Sequence, residues 1–426
     1  MTIGSESSVD VGAILDQGHW TAYQQWLVFL TALTIVFDGF DNQLLGVALP
    51  TIMEEWSVPR SAFAPVVSLG YLGMMIGGTL AGLAGDRFGR RVALLACMVI
   101  FGLTTIAAAS VNDVSSLGVL RLLAGVGLGG AMPNAAALAG EYVPRRQRPF
   151  AVTLAIVCVP VGATLAAFAA IAALPAVGWR GMFVIGGVLP IVAAALLVRL
   201  LPESPRYLAR HPHRWPELAV LLRRMGHAVP ANASFTDAAE SAPMQEGDRA
   251  ATRRHMRHDG ALAAAERPPQ DGPLTATGRL EAPQDGPLAA TGRPRGQIFD
   301  RGWRLDTFAL WAAFFSCLLA VYLGFSWLPS ILTGAGLGQA VANTGLTAFN
   351  LGGVVGALVG GRLLTRFGSR LTMVSMTAGA IAGAFVLSTM TITAQSPVAP
   401  IVVMLAITGG LINAVQTTMY ALAAHV

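Results

Sequence analysis

Long apolar runs separated by short polar loops set the pattern of this chain. Stretches long enough to cross a bilayer as helices, about 20 residues each, lie at 26–53, 62–84, 92–111, 115–138, 150–174, 180–200, 307–332, 341–363, 371–391 and 398–422. In lipid only helices and closed barrels satisfy their own backbone, and runs of this length predict helices. The expected fold class is an all-α polytopic membrane protein with ten spans. Between the sixth and seventh runs, residues 201–305 are dominated by Pro, Gly, Ala, Arg and Asp. That stretch lacks the apolar content for a core and is expected to be a disordered linker. Residues 269–279 recur within it as 283–293, read as a local duplication. The expected organisation is a tail at 1–25, a six-helix bundle at 26–200, the linker at 201–305 and a four-span bundle at 306–426.

Two carboxylates interrupt the first run. Asp38 and Asp41 sit near its middle, where each costs roughly 2.5–3.5 kcal/mol on insertion scales. Their i, i+3 spacing puts both on one helix face. Residues this expensive are kept where they face a polar cavity, or where they pair with an Arg on a neighbouring span.

Composition agrees with the spans: 54% of residues are hydrophobic and only 12% charged. The net charge of +5 does not mark a nucleic-acid binder, because the arginines sit in loops beside the spans. Arg87, Arg90 and Arg91 follow span 2, Arg145, Arg146 and Arg148 follow span 4, and Arg366 and Arg370 follow span 8. The opposite loops hold only Arg60 and Arg180. By the positive-inside rule the Arg-rich loops and the N-terminus are cytoplasmic; the expected localisation is multi-pass in the cell inner membrane. No signal peptide precedes the first run. Cys97, Cys158 and Cys317 lie in apolar stretches without metal-site spacing, and read as small core residues. Neither a metal nor a cofactor is expected. An enzyme is disfavoured, since no nucleophile–base set or phosphate loop is visible. Gly125, Gly127 and Gly130 match G-x-G-x-x-G, but inside a span with no preceding strand.

The chain repeats itself. Residues 72–91, LGMMIGGTLAGLAGDRFGRR, align with residues 351–370, LGGVVGALVGGRLLTRFGSR, at a shift of 279. The same shift sets Pro50 on Pro329. Both copies run in the same direction, which is a parallel-repeat transporter architecture. Gly73 and Gly77, like Gly352 and Gly356, have the small-xxx-small spacing that lets helices approach closely.

The loop GLAGDRFGRR at 82–91 resembles the signature loop of the major facilitator superfamily. Its degenerate copy at 361–370 carries Thr365 in place of the aspartate. Within that superfamily the chain is similar to the aromatic acid:proton symporters. The resemblance rests on Asp38-Gly39-Phe40-Asp41, on RLLAGVGLGGAMPN at 121–134, on Glu141 and, less specifically, on PESPR at 202–206. It implies two six-helix bundles and uptake of a benzoate- or hydroxybenzoate-type acid with protons by a monomer in the lipid bilayer. The chain departs from the family in its long linker and in stopping at His425-Val426, after the tenth span. A ten-span form is expected to transport poorly. The alternatives are a porter for another small metabolite, such as a sugar or a pyridine carboxylate, or a transport-defective remnant or sensor.

An aromatic anion needs a cation, an apolar slot and a protonatable group for coupling. Arg121 offers a planar fork for the carboxylate, or else a permanent partner for Asp38 or Asp41. The aspartates offer the proton site, because burial favours the neutral carboxyl and a nearby guanidinium the charged one. Glu141 stands either as a proton relay or as a partner of the Arg-rich loops. Phe37, Phe40, Trp311, Phe315, Tyr322, Trp327 and Tyr420 are candidates for the slot. Asn134, Asn350, Asn413 and Gln416 are candidate polar contacts. Gly82, Asp86, Arg87, Gly89, Arg90 and Arg91 form the expected conformational switch loop.

Overall fold

Helix starts follow from local capping chemistry. Thr21 and Gln24 form a reciprocal capping box, with Gln24 Oε1 accepting from the Thr21 amide at 2.9 Å. The apolar sequence that follows then runs as one helix, α2 (Ala22–Trp56). In the computed structural model, residues 8–230, 233–237, 304–390, 392–393 and 395–423 are described. The chain divides into two units, Met1–Asp237 with Ala313–Val426, and Ala238–Ala312. Only 304–312 of the second are described.

Ahead of α2 stand β1 (Ser8–Asp10) and α1 (Val11–Gln17). After it come α3 (Ala64–Phe88), α4 (Arg90–Ala108), α5 (Val114–Tyr142) and α6 (Arg148–Leu200). Short helices α7 (Pro205–Ala209) and α8 (Trp215–Arg224) lead to β2 (Ser234–Thr236). The last four helices are α9 (Arg304–Gly334), α10 (Gln339–Phe367), α11 (Ser369–Thr389) and α12 (Val398–Ala423). The fold is all-α and polytopic, as expected.

Helix α6 is 53 residues long and covers two expected spans. At Gly178 the backbone turns to φ 66° and ψ 177°, which breaks the helical path there. Glycine enters that region without the Cβ penalty other residues carry. The ten sequence spans are therefore ten helical segments among the described residues, the fifth and sixth joined through this kink. The polar groups beside the kink are paired: Trp179 Nε1 donates to Glu55 Oε2 at 2.6 Å, and Arg180 bonds Glu55 at 2.5 Å and Asn112 at 2.7 Å.

The repeat is a packing unit. A Cβ added to Gly73 or Gly77 on α3 would collide with the carbonyls of Leu122 or Val126 on α5. The second copy does the same: Gly352 and Gly356 on α10 abut the carbonyls of Ala406 and Gly410 on α12. Gly125 on α5 meets Gly70 O, and Gly409 on α12 meets Phe349 O. The glycines thus let two helix pairs touch backbone to backbone. Outward faces stay apolar and exposed, with Met75, Leu83, Phe315, Ile381 and Phe385 each at least 65% accessible, as lipid-facing side chains are.

One organisational expectation needs correction: residues 201–230 and 233–237, expected within the disordered linker, carry α7, α8 and β2. The tail contributes β1 and α1. Strand β1 pairs with β2 in parallel, Val9 opposite Phe235. Leu218, Leu221, Leu222 and Phe235 bury against Val11 and Leu15. Asp16 bonds Arg148 and lies 3.8 Å from Arg206, which reaches Asp237 at 4.0 Å. Leu218, Leu221 and Leu222 make one apolar face on α8, a helical period that the overall composition of the stretch conceals. The tandem repeat lies outside the described residues.

Gly77→Val should destabilise the chain by about 1–3 kcal/mol, because the contact it meets is a backbone carbonyl that cannot move aside. Thermal unfolding in detergent checks this. Gly82→Ala, at a glycine with open space around it, is the control and should change little.

Candidate functional site

Proximity of helices α2, α4 and α5 brings Asp41 to Arg121. Asp41 is fully buried. Its Oδ1 accepts from Thr105 Oγ1 on α4 at 2.5 Å, and its Oδ2 lies 3.4 Å from Arg121 Nη1 on α5. Asp38, one turn earlier, is 3% exposed, and its Oδ1 has no hydrogen-bond partner among the described residues. The two carboxyls therefore have unlike surroundings, one held by a hydroxyl and a guanidinium, the other left with an unserved oxygen. Arg121 pairs with Asp41 and also lines a small cavity.

That cavity holds ≈ 20 Å³, about the room one water needs. Asn42 and Leu45 come from α2, Val66, Val67, Gly70, Tyr71 and Met74 from α3, Arg121, Gly125 and Leu128 from α5, and Ser326 from α9. Tyr71 is the cavity's one aromatic residue, and none of the expected slot aromatics is in the lining among the described side chains. Phe40 and Trp327 belong to the packing core, Phe37 packs partly buried against another cluster, and Phe315 is exposed. The Tyr322 ring lies tilted against Tyr71, centroids 4.8 Å apart, and its carbonyl accepts from the Tyr71 hydroxyl. The side chains of Trp311 and Tyr420 fall outside those described.

Beside the cavity the first and second halves are stitched together. Pro329 has no N–H to offer Phe325 O one turn back. Gln43 Nε2 fills that place, donating to Phe325 O at 2.6 Å, and Gln43 Oε1 accepts from Asn350 at 3.2 Å. Tyr71 OH lies 2.6 Å from Ser326 Oγ, and Gln339 donates to Val47 O at 3.2 Å. Asn350 is thus a bridge between halves. Asn134 is used elsewhere: it donates to Ala81 O and Gly130 O, some 13 residues along α5 from Arg121, ~20 Å at helical rise. Asn413 bonds Gly409 O in its own helix and packs on Gly353. Gln416 is half-buried on the same helix. Neither Asn134 nor Asn413 meets the cavity.

Glu141 lies further still, ~30 Å from Arg121 along α5. It accepts from Ser204 Oγ and approaches Arg90 at 4.0 Å. Its neighbours are therefore residues of the 82–91 loop and the segment after α6, and not the aspartates. There Asp86 pairs with Arg90 at 2.6 Å, and Tyr207 OH donates to Arg87 O at 3.3 Å. Buried Glu203 accepts from the Arg91 amide at 3.0 Å, capping α4 from outside. Gly89, at φ 106°, lies against the Glu203 carboxyl, where a Cβ would not fit.

The residues missed in the sequence were Asn42, Tyr71, Thr105 and Ser326. A signal for the first existed: Asp38, Asn42 and Leu45 share a face at i, i+4, i+7, as do Arg121, Gly125 and Leu128. Thr105 and Ser326 carry no such mark.

Residues 31–426 match the sequence profile of the Major Facilitator Superfamily, and the chain belongs to that superfamily. It is similar to a gallate transporter of Pseudomonas putida, 33% identical over 361 residues covering 85% of this chain and 70% of that protein. The 4-hydroxybenzoate transporter PcaK of Acinetobacter baylyi is 31% identical over 364 residues, covering 85% and 70%. A benzoate transport protein of the same organism is 28% identical, covering 88% and 72%. Among solved structures, the xylose transporter XylE from E. coli, partially occluded and inward open, aligns with a TM-score of 0.65 at 16% identity, covering 94% of this chain and 88% of that one. That likeness shows the fold. The chain is a multi-pass membrane protein, and its relatives are transporters.

Thr105→Val keeps shape but strips a donor from buried Asp41. It should cost about 1–3 kcal/mol, read as a lowered melting temperature in detergent. Thr105→Ser, which keeps the hydroxyl, should recover most of the loss.

Proposed function

We propose that this chain takes up an aromatic carboxylate of the benzoate or hydroxybenzoate type together with protons. The proposed setting is the inner membrane, with the N-terminus cytoplasmic. The observation that carries the reading is the buried Asp41–Arg121 pair, with Asp38 one turn away on α2, and Arg121 lining a small cavity. The gallate, 4-hydroxybenzoate and benzoate transporters among the relatives support the substrate class. In this reading Arg121 anchors the substrate carboxylate. Its contact to Asp41 uses one nitrogen at 3.4 Å, which is long for a charged pair. A guanidinium has five N–H donors, so an incoming carboxylate can engage others in the fork. Leu45, Val66, Val67, Met74 and Leu128 supply the apolar wall for the ring. Asp38 takes the coupling proton, since a neutral carboxyl in its place leaves no isolated buried charge.

Conformational exchange is assigned to the 82–91 loop with Glu141 and Glu203. Its Asp86–Arg90 pair at 2.6 Å is a contact that one arrangement of the helix ends makes and another can release.

In proteoliposomes with an inward proton gradient, the chain should accumulate labelled 4-hydroxybenzoate. Asp38→Asn and Asp41→Asn should each abolish accumulation while protein still inserts, and undiminished accumulation in both would sink the coupling reading. In the same assay Arg121→Lys should weaken binding by about 1.5–3 kcal/mol, because the fork is lost while the charge stays.

Asp86→Asn should slow transport with little change in equilibrium affinity. A large affinity loss at unchanged maximal rate would move Asp86 out of the switch.

A further inference from the structure

Helix α2 carries two buried polar atoms without hydrogen-bond partners among the described residues, Asp38 Oδ1 and Asn42 Nδ2. One is an acceptor and the other a donor. Asp38 is 3% and Asn42 6% exposed. They are four residues apart, a spacing at which helix side chains are neighbours, about 5–6 Å between Cβ atoms. Asn42 also lines the cavity beside Arg121, Tyr71 and Ser326. A buried amide N–H left unbonded forfeits its solvation without return. It therefore marks a place where an acceptor arrives in another state. The Asp38 carboxyl, four residues away on the same helix, and the cavity that Asn42 lines are the two places from which an acceptor can reach it.

We propose that Asn42 is the positioning residue that ties the proton on Asp38 to occupancy of the cavity. This rests on the proton-coupled reading above. With the cavity empty and open to water, the Asn42 amide turns along α2 to Asp38 and stabilises its ionised form. The proton then leaves Asp38 for water. With an aromatic carboxylate bound, the amide donates to the substrate oxygen instead. Asp38 loses its donor and holds its proton. Anion and proton so arrive together and leave together, which is the sign symport requires. By linkage each raises the affinity for the other by the same factor, and one hydrogen bond to a charged group corresponds to about tenfold or more.

Other charged or titratable groups surround Asp38. Asp41 lies on its own helix, and Arg121 on α5 is paired with Asp41. Cys97 on α4 is within electrostatic reach of Asp38. Cys158 on α6 precedes Val159, whose carbonyl Gly39 touches. Asn42 is the helix neighbour of Asp38 whose amide nitrogen lacks a hydrogen-bond partner among the described residues, so the switching donor is assigned to it.

The test compares the parent chain with Asn42→Leu and Asn42→Gln in proteoliposomes, using labelled 4-hydroxybenzoate. Two modes are read: substrate exchange without a gradient, and accumulation driven by an inward proton gradient. In Asn42→Leu the half-saturating concentration for exchange should rise about tenfold, with the maximal exchange rate kept. Accumulation should stay near unity even at saturating substrate. The pH at which substrate affinity falls should move upward, because ionised Asp38 has lost its donor. Asn42→Gln, which keeps an N–H donor, should restore accumulation. Adding Asn42→Leu to Asp38→Asn should remove no further coupling. Parent-like accumulation and pH profile in Asn42→Leu would overturn the proposal, as would equal loss of maximal exchange and accumulation. Failure of Asn42→Gln to restore accumulation at unchanged melting temperature would also overturn it. A parent chain that exchanges the acid but ignores the gradient would fail the underlying symport reading, a result distinct from failure at Asn42.

Discussion

The buried contact between Asp41 and Arg121 is the constraint around which the first half is arranged. Each charge alone in that setting is costly, and removing one partner of such a pair costs about 3–5 kcal/mol. The pair is tolerable because Thr105 supplies a further hydrogen bond at 2.5 Å. That requirement brings α2, α4 and α5 together at a common depth. The glycines make the approach possible: with Gly73, Gly77 and Gly125 at the α3–α5 contact, backbones touch and Arg121 is held facing α2 rather than lipid.

The second half reproduces the scaffold and omits the charges. Gly409 stands to Phe349 as Gly125 stands to Gly70, and Asn413 to Gly353 as Gly129 to Met74. By these contacts the counterpart of Arg121 is Leu405. By the 279-residue shift, Cys317 and Ala320 take the places of Asp38 and Asp41. The ionic chemistry is therefore one-sided. The second half contributes Ser326, Phe325 O and Asn350, neutral groups that meet the first half without a charge being buried between them.

Much of this was legible in the chain because membranes simplify the code. Ten runs, the glycine spacing, the paired aspartates and Arg121 were visible as periodicity and as costly residues in apolar surroundings. What stayed hidden needed three-dimensional adjacency. Asn134 and Asn350 look alike in sequence, yet one locks α5 to α3 and the other bridges the halves. Glu141 shares a helix with Arg121 but not a site, because helical rise carries it far toward the Arg-rich loops. Residues 201–237 looked like linker since averaged composition swamps a ten-residue amphipathic helix. The Gln43–Phe325 contact could have been anticipated only by asking where the carbonyl orphaned by Pro329 finds its donor.

The small size of the cavity sets a condition on any transport cycle. At ≈ 20 Å³ it falls far below the roughly 300–1,000 Å³ of ordinary ligand pockets, so an aromatic ring enters only after the halves part near Tyr71 and Ser326. The contacts that must yield suit that purpose. Gln43, Asn350, Gln339 and Tyr71 engage carbonyls, amides and a hydroxyl, and water can replace each of them as the gap opens. Exchanging such a bond for water changes the free energy by only about 0.5–1.5 kcal/mol. A handful together amount to a few kcal/mol, within what a ligand's differential affinity for two states can supply. Ion pairs across the same gap would either hold it shut or leave bare charges when it opened. Keeping the charges on one side and neutral donors across the seam lets the Asp41–Arg121 contact stay intact while the halves separate.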